Sequence, residues 1–578
     1  MKTLHQLAGR ALGLCLALLL AVPALAAEPL SADQRREDLN FLYQKVLTEA
    51  HPNAFTNTPE AEFLRAKAEI EARLETETDT EFLLDLMRLT ALAGDSHTSI
   101  AIGGAADFRA YPFSLIRRGM GYGERWYLSA AAPGDKALLC QEVTELAGRP
   151  VREVIDAFGT LFSSDNPVHL RRSFRQACNV ADIYEYLGLV EPGKPLTITL
   201  EGGKTLRLEP MGLEEMNQLE AVRISDLIKK TPETAAANVN YFSKPLSEDV
   251  YYIQYNVCRE DENLSMADFA AQVAKDLEEG SYWRVLLDLR YNGGGSDGVI
   301  WPLFEVLRKE MDDEDGCELV GLIGENTFSS ALINAVEIQE MGGKLAGEPT
   351  GGSVCHFGAI NVFSLPNSKV RGQVSSKYID LNTLLDAAAG RGVETLEPDE
   401  PLSQTLEDTL NGVDTVVQYL LTRKTYVTSL PIDGAPLTRG RFIGQLYKAA
   451  GSPEVEMGKA LPFADSLGIE WYLPALAWAK ENGIAGGGKD GSFFAARPLT
   501  WREAAVFLSR TADVLEIPDP SPAKDRHGPV PAALAEGWDL ERVAWAWMLG
   551  LLPGDADFTQ GLTRVQGEIL ATALGMLV

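Results

Sequence analysis

The sequence predicts an α/β fold whose working loops follow buried strands, and three observations predict it. "RVLLDLR" (284–290) and "CELVGLIG" (317–324) are short apolar runs rich in Val, Leu and Ile, the composition of strands covered on both faces. Each gives way to a loop of small residues, "YNGGGSDG" and "ENTFSS". Each loop then leads into a helical pattern, "VIWPLFEVLRK" and residues 329 to about 341. A strand–loop–helix unit used twice builds a layered sheet and sets reactive side chains on the loops after the strands. Whether all strands run parallel is left open by this pattern.

The remaining elements follow in chain order. Lys2 and Arg10 flank the start of "ALGLCLALLLAV", an apolar run shorter than the roughly 20 residues that span a bilayer. Ala24 and Ala26 supply the small residues of a cleavage site, so residues 1–27 read as a secretory signal peptide cut after Ala26 or Ala27. Leu14 stands before Cys15 where a lipidation site wants a small residue. Residues 28–105 read as a helical region, carried by "REDLNFLYQKVLTEA" and "TEFLLDLMRLTALAG". Residues 106–215 are mixed and β-rich, with "QEVTELAGRPVREVIDAF" and a hairpin in "LTITLEGGKTLRLE" that turns at Gly202–Gly203. The α/β core occupies 216–425, opening with "DVYYIQYNV" and including the short strand and loop "KLAGEPTGG". "TRKTYVTSLPIDGAP" (422–436) reads as a linker.

Residues 430–578 hold an internal repeat. "APLTRGRFIGQLYKAAGSP", "RPLTWREAAVFLSRTADVL" and "QGLTRVQGEILATALGML" each open Leu-Thr and continue as an amphipathic helix. In "PALAWAKENGIAGG" and "ERVAWAWMLGLLPG" a glycine follows a tryptophan at the same interval, Trp478 to Gly483 and Trp545 to Gly550.

Charge and cysteine content exclude several functions. A formal net charge of −30 with no basic stripe repels nucleic acid and anionic membrane surfaces. Beyond the leader, Cys140, Cys178, Cys258, Cys317 and Cys355 are scattered and odd in number, which supports neither a zinc site nor a disulfide framework. No metal or cofactor is called for.

The chemistry gathers on two loops. Ser329 lies where a strand ends and a helix begins, so the backbone N–H of Ser330 is a first-turn amide with no partner inside the helix. Gly293–Gly295 follow the neighbouring strand, and glycine lets backbone amides approach a ligand without an intervening Cβ. The two loops together can supply a nucleophile, Ser329, and an oxyanion hole from the amides of Ser330 and Gly294 or Gly295. The bland alternative is that Ser329 only caps a helix. "GGGSDG" also matches a dinucleotide fingerprint and a G-x-S-x-G elbow at Ser296. Export argues against the first, and the five residues Tyr291 to Gly295 between strand and serine argue against the second.

"LLDLRYNGGG", "TFSSA" and "GEPTGG", with "LMRLTALAGDSHTSI" and "FSLPNSKVRGQVSSKYIDL", resemble the S41 serine peptidases, the tail-specific or C-terminal processing proteases, over residues 35–420. The resemblance implies a ClpP/crotonase-like core, an N-terminal helical region and Ser329 as nucleophile, while "QEVTELAGRPVREVI" suggests a PDZ-like peptide-binding segment within 106–215. Many members carry a lysine base three residues after the threonine of the "GEPT" motif; here that position is Ser353. His97 in "GDSHT" matches the histidine motif of the tricorn-like branch, where it is the base, and His356, near the missing lysine along the chain, is the runner-up. His51 and His169 show no catalytic context. The late acidic residue of that branch suggests Glu394 or Glu397 as the group that orients the imidazole, with Asp95 close enough to His97 to compete. The tail "PFADSLGIEWYLPALAWAKENGIAGGGKDGSFFAARPLTWREAA" resembles the S-layer homology (SLH) module, with the Thr-Arg pair at Thr438–Arg439 and Thr563–Arg564 and a tryptophan at 501 in the middle copy. That resemblance implies attachment to cell-wall polysaccharide at a bacterial surface. The expectation is a secreted, wall-associated serine peptidase acting on peptides or proteins. Its rival is an inactive surface protein that binds peptides or wall polymer.

Overall fold

The computed structural model describes residues 29–422 apart from 103–107, 121–123, 313–316 and 390–393, and beyond 436 the stretches 437–453, 461–466, 472–515 and 539–548 with scattered positions around them. The leader and Thr563–Arg564 lie outside the described residues. The chain divides into two compact units, one running to Arg118 and from Arg125 to Arg423, the other comprising Gly119–Glu124 and Lys424–Val578.

In the first unit, Ser31 and Thr78 open the helices Ala32–Phe41 and Asp79–Ala91 with reciprocal capping boxes to Gln34 and Glu81. The first helix continues as the wider turns of Leu42–Ala50 and stops at His51, whose N–H bonds back to Val46 O at 3.0 Å. The last turn of Asp79–Ala91 gives way to Gly94, Asp95, Ser96 and His97, and then to the short strand Ser99–Ile100. That strand pairs antiparallel with Gly372 and Gln373 in a long hairpin, Cys355–Ser364 with Arg371–Asp380. The pairing fixes His97 against the hairpin, and Gln373 Nε2 donates to His97 O at 3.0 Å.

The β-rich region holds a four-stranded antiparallel sheet in the order Arg149–Pro150, Val143–Leu146, Leu196–Leu200, Thr205–Leu208. Gly202 and Gly203, at φ 84° and 82°, turn its last hairpin. The helix Pro167–Ala177 crosses this region, capped by Asn166 with Pro167 in its first turn.

The core sheet has six strands: β1 (Tyr241–Pro245), β2 (Val250–Tyr255), β3 (Arg284–Asp288), β4 (Glu318–Ile323), β5 (Lys344–Gly347) and β6 (Glu400–Pro401), in that spatial order. β2 to β6 are parallel and β1 is antiparallel at the edge, a point the sequence left open. Helix α1 (Met266–Glu279) joins β2 to β3, α2 (Trp301–Asp312) joins β3 to β4, and α3 (Ser330–Glu340) joins β4 to β5. Every residue of β2, β3 and β4 is buried, as expected for strands with long apolar runs and no polar alternation. Burial of each large aliphatic side chain contributes about 1.5–3 kcal/mol, which makes these strands the rigid base from which the loops are hung.

In the second unit, Thr438 and Thr500 cap the helices Arg439–Ala449 and Trp501–Val514, and Leu473–Glu481 and Leu540–Met548 complete the described helices. Trp478, Trp501 and Trp545 are buried in one core. Arg439, from the first Thr-Arg pair, does not reach outward. Its guanidinium bonds Glu503 and lies over Phe493 at 4.4 Å from the ring centroid.

Candidate active site

Ser329 is held by a turn that two strands define. Beyond β4, Gly324 N donates to Thr327 Oγ1 at 3.1 Å, and Thr327 Oγ1 in turn donates to Leu289 O at 2.9 Å, just past the end of β3. Phe328 N donates to Asn292 O at 3.2 Å, so the loops after β3 and β4 are stitched together. Ser329 then takes φ 53° and ψ −129° at the entrance to α3, and its side chain makes no capping bond. A non-glycine residue in this region costs on the order of 1–3 kcal/mol, a cost that persists only where the surroundings enforce it. A helix cap would instead sit in extended backbone with its hydroxyl bonded to the first turn. The strained strand-to-helix turn that presents a serine is therefore at Ser329. Ser296, the other candidate, is exposed in ordinary extended backbone ahead of a short 3-10 turn.

The oxyanion donors divide differently from the expectation. Gly294, at φ 103°, lies so close to the nucleophile that a Cβ there would sit 2.7 Å from Ser329 Cβ and 3.2 Å from Ser330 N. Its amide, however, donates to Asn292 Oδ1 at 2.9 Å, so Gly294 supplies proximity and not an oxyanion donor. The amides of Gly295 and Ser330 have no acceptor among the described residues. The hydroxyl of Ser330 donates to Gly295 O at 2.9 Å and ties the two loops at this point.

Two histidines, His97 and His169, stack on Phe328 of the turn, His356 stacks on His97, and His51 meets Asp95. The His97 ring is stacked on Phe328, the residue before the serine, with centroids 4.2 Å apart and planes 23° from parallel. The ring also stacks on His356, at 5.2 Å and 14°. Burial, reinforced by His356, pushes the His97 imidazole down to about 4, so it is neutral at ordinary pH and able to accept a proton. Neither ring nitrogen of His97 has a hydrogen-bond partner among the described residues, and its expected bond to Ser329 Oγ is not formed. His356 bonds Ser353 O through Nδ1 at 2.7 Å, and its Nε2 is likewise unpartnered. Burial lowers its imidazole too.

His51 and His169 were silent in the sequence. His51 Nε2 lies 3.1 Å from Asp95 Oδ2, while its Nδ1 accepts from Asn53 N at 3.1 Å, which places the ring proton on Nε2. His169 stacks on Phe328 at 5.4 Å and 27°, and burial, then Arg172, push it down to about 3. No local signal marks either residue. His51 ends a helix and His169 sits in the first turn of another, and only the fold brings them to Phe328 and Asp95.

The acidic candidates also separate. Glu394 is exposed and makes no bond to His97; its backbone carbonyl accepts from Val354 N at 2.9 Å, which holds that loop beside the hairpin and leaves the carboxylate outside the site. Glu397 is exposed as well. Asp95 is buried and central. It accepts from Thr98 Oγ1 at 2.5 Å, Ser375 Oγ at 2.6 Å and His97 N at 2.8 Å, besides His51. Burial alone would raise its carboxyl, but the bonds from His51, Ser375, Thr98 and the His97 amide outweigh it and hold the group low. Asp95 thus fixes the His97 backbone and does not touch its ring. Ser353, three residues after Thr350, is buried and accepts from Asn166 Nδ2 at 2.8 Å. Asp165 is beside it, its carboxyl pushed up to about 6 by burial. Among the described residues no cluster of histidine, cysteine or carboxylate side chains could hold a metal ion, and no helix is long and apolar enough to cross a membrane.

No protein-family model matches the chain. No curated protein matches it in sequence. Solved structures do resemble it. Mature CPAF in complex with lactacystin is 13% identical, with 66% of this chain and 95% of that one covered at a TM-score of 0.44. Mature CPAF alone is 14% identical, with 67% and 96% covered at 0.43. The photosystem II D1 C-terminal processing protease is 14% identical, with 67% and 98% covered at 0.29.

Proposed function

We propose that the chain is a serine peptidase that forms an acyl-enzyme on Ser329. The observation that carries this reading is the backbone at Ser329, strained at φ 53°, free of any capping bond and packed against the bare backbone of Gly294. Ser329 Oγ attacks the peptide carbonyl carbon as its proton passes to the neutral imidazole of His97. The amides of Ser330 and Gly295 take the developing oxyanion. His97 then returns the proton to the leaving amine as the C–N bond breaks, and water repeats the sequence on the ester. The hydroxyl and the ring close to hydrogen-bond distance as substrate seats, as catalytic bonds that are long in a free site do.

The leader-like 1–27 and the SLH-like 430–578 support export and attachment to cell-wall polysaccharide. Sedimentation of the full chain with purified bacterial walls, lost when the wall polysaccharide is stripped, tests that assignment.

A second reading has its own support. Ser353 replaces the family lysine and is engaged by Asn166, and His97 makes no bond to Ser329, which favours an inactive peptide-binding protein. A fluorophosphonate probe separates the two. Labelling of the wild type that disappears in Ser329→Ala and persists in Ser296→Ala is the expected result; a folded protein that takes no label is the binder.

A further inference from the structure

A cavity of about 600 Å³ opens beside the stacked rings, with Phe328 and His169 in its wall. That volume is ample for an amino-acid side chain together with part of its backbone. Its charge is one-sided. Arg172, Arg175 and Arg371 line it, and no Asp or Glu is among its described lining residues. In a chain of net charge −30 such a stretch of wall is far from the average surface.

The three guanidinium groups differ in what they have left to offer. Arg175 is committed to Glu325 at 2.8 Å. Glu325 also bonds Arg117. Among the described residues Arg172 has a longer-range attraction to Glu325 and no ion pair; its buried Nε has no hydrogen-bond partner there, and its guanidinium lies 5.9 Å over the Phe328 ring. Burial holds it below the usual arginine range. Arg371, exposed on the hairpin, makes no ion pair among the described residues. A half-buried guanidinium without a counter-charge is costly, and a carboxylate that seats against its planar fork of donors removes the cost while forming two charge-assisted bonds.

We propose that this cavity is a subsite for an acidic side chain, so that the peptide acted on at Ser329 presents an Asp or Glu close to the scissile bond, with Arg172 as the main determinant and Arg371 as a second donor. The inference rests on the reading of Ser329 as nucleophile, yet it is open to a test that needs no turnover.

The probes are fluorescent decapeptides carrying one Glu or one Gln at matched positions, each with a free or an amidated C-terminus. The protein is the full chain with Ser329→Ala, and binding is read by fluorescence anisotropy at low and high salt. The expected result is binding of the Glu peptides about tenfold or more tighter than their Gln partners, a margin of the size one charge-assisted contact gives. The preference is expected to shrink at high salt, to be indifferent to amidation, to vanish in Arg172→Met and to weaken in the exposed variant Arg371→Gln. Equal affinity for the two peptides, no binding of either, a preference that follows the free C-terminus, or one that survives both substitutions would overturn it. Fluorophosphonate labelling of the wild type without Glu preference sinks this inference alone; Glu preference without labelling sinks only the peptidase reading.

Discussion

His97 lies face to face with Phe328, 4.2 Å between ring centroids, and so sits one residue from the serine whose hydroxyl is strained out of any capping role. The contact joins a loop of the N-terminal helical region to the loop after β4, more than two hundred positions later in the chain. It sets the His97 ring, the base of the proposed reaction, beside the serine turn and stacked against His356 at 5.2 Å.

In the proposed reaction, replacing His97 by alanine removes the proton acceptor. We expect hydrolysis of a peptide substrate to fall on the order of 10³-fold or more, with the circular dichroism spectrum unchanged. His356→Ala, which leaves the acceptor in place, should cost far less. Single-turnover kinetics on both variants decide the order, and equal losses would remove the distinction between them.

The pH profile follows from burial. An imidazole held down to about 4 is already neutral well below its usual 6.5. The acid limb of kcat/KM should therefore lie near pH 4, with little change between pH 6 and 8. A limb at the ordinary histidine value would mean that a solvated imidazole is the base.

Gly294→Ala tests the approach of the two loops. The added methyl would meet Ser329 Cβ at 2.7 Å and Phe328 O at 2.9 Å, and φ 103° is itself unfavourable for alanine. We expect loss of fluorophosphonate labelling together with a destabilisation of about 1–3 kcal/mol, read from urea unfolding. Gly293→Ala, where a Cβ meets nothing within 4 Å, is the control expected to keep both.

Acid should weaken the fold before it reaches the carboxylates. His97 and His169 are lowered to about 4 and about 3 in the folded chain, from 6.5 when unfolded. The unfolded chain therefore binds more protons below 6.5, and the stability held above that pH is lost as pH falls from 6.5 toward 3. Asp165, raised to about 6 from 3.8, works the other way, since the folded chain takes up its proton first, and offsets part of the loss between those values. Urea midpoints at pH 7.5 and 5.5 measure the net slope. It should be shallower in His169→Gln, and an unchanged slope would show that His169 is hydrated in solution.

Asp95→Asn keeps the shape of the side chain and loses one acceptor oxygen for His51, Thr98 and Ser375. A buried carboxylate with this many donors should cost about 2–4 kcal/mol to replace, and the loss should be accompanied by lower activity because the His97 amide is anchored to it. A variant as stable as the wild type would mean that Asp95 is not the anchor.

The sequence alone determined the parts that depend on local order: the buried strands from their apolar runs, the glycine loop after β3, and Ser329 at the mouth of a helix. It also offered His97 as candidate base, with His356 as runner-up. Tertiary structure decided the rest. It turned the Gly294 amide to Asn292, left Glu394 in solvent, made Asp95 an anchor for the backbone, and brought His51 and His169 to the site from helices that carry no catalytic pattern. The reason is physical: a periodic pattern records which face of an element is buried, a property of neighbours in the chain. Which nitrogen meets which oxygen depends on packing between segments hundreds of residues apart, and no local pattern encodes that distance.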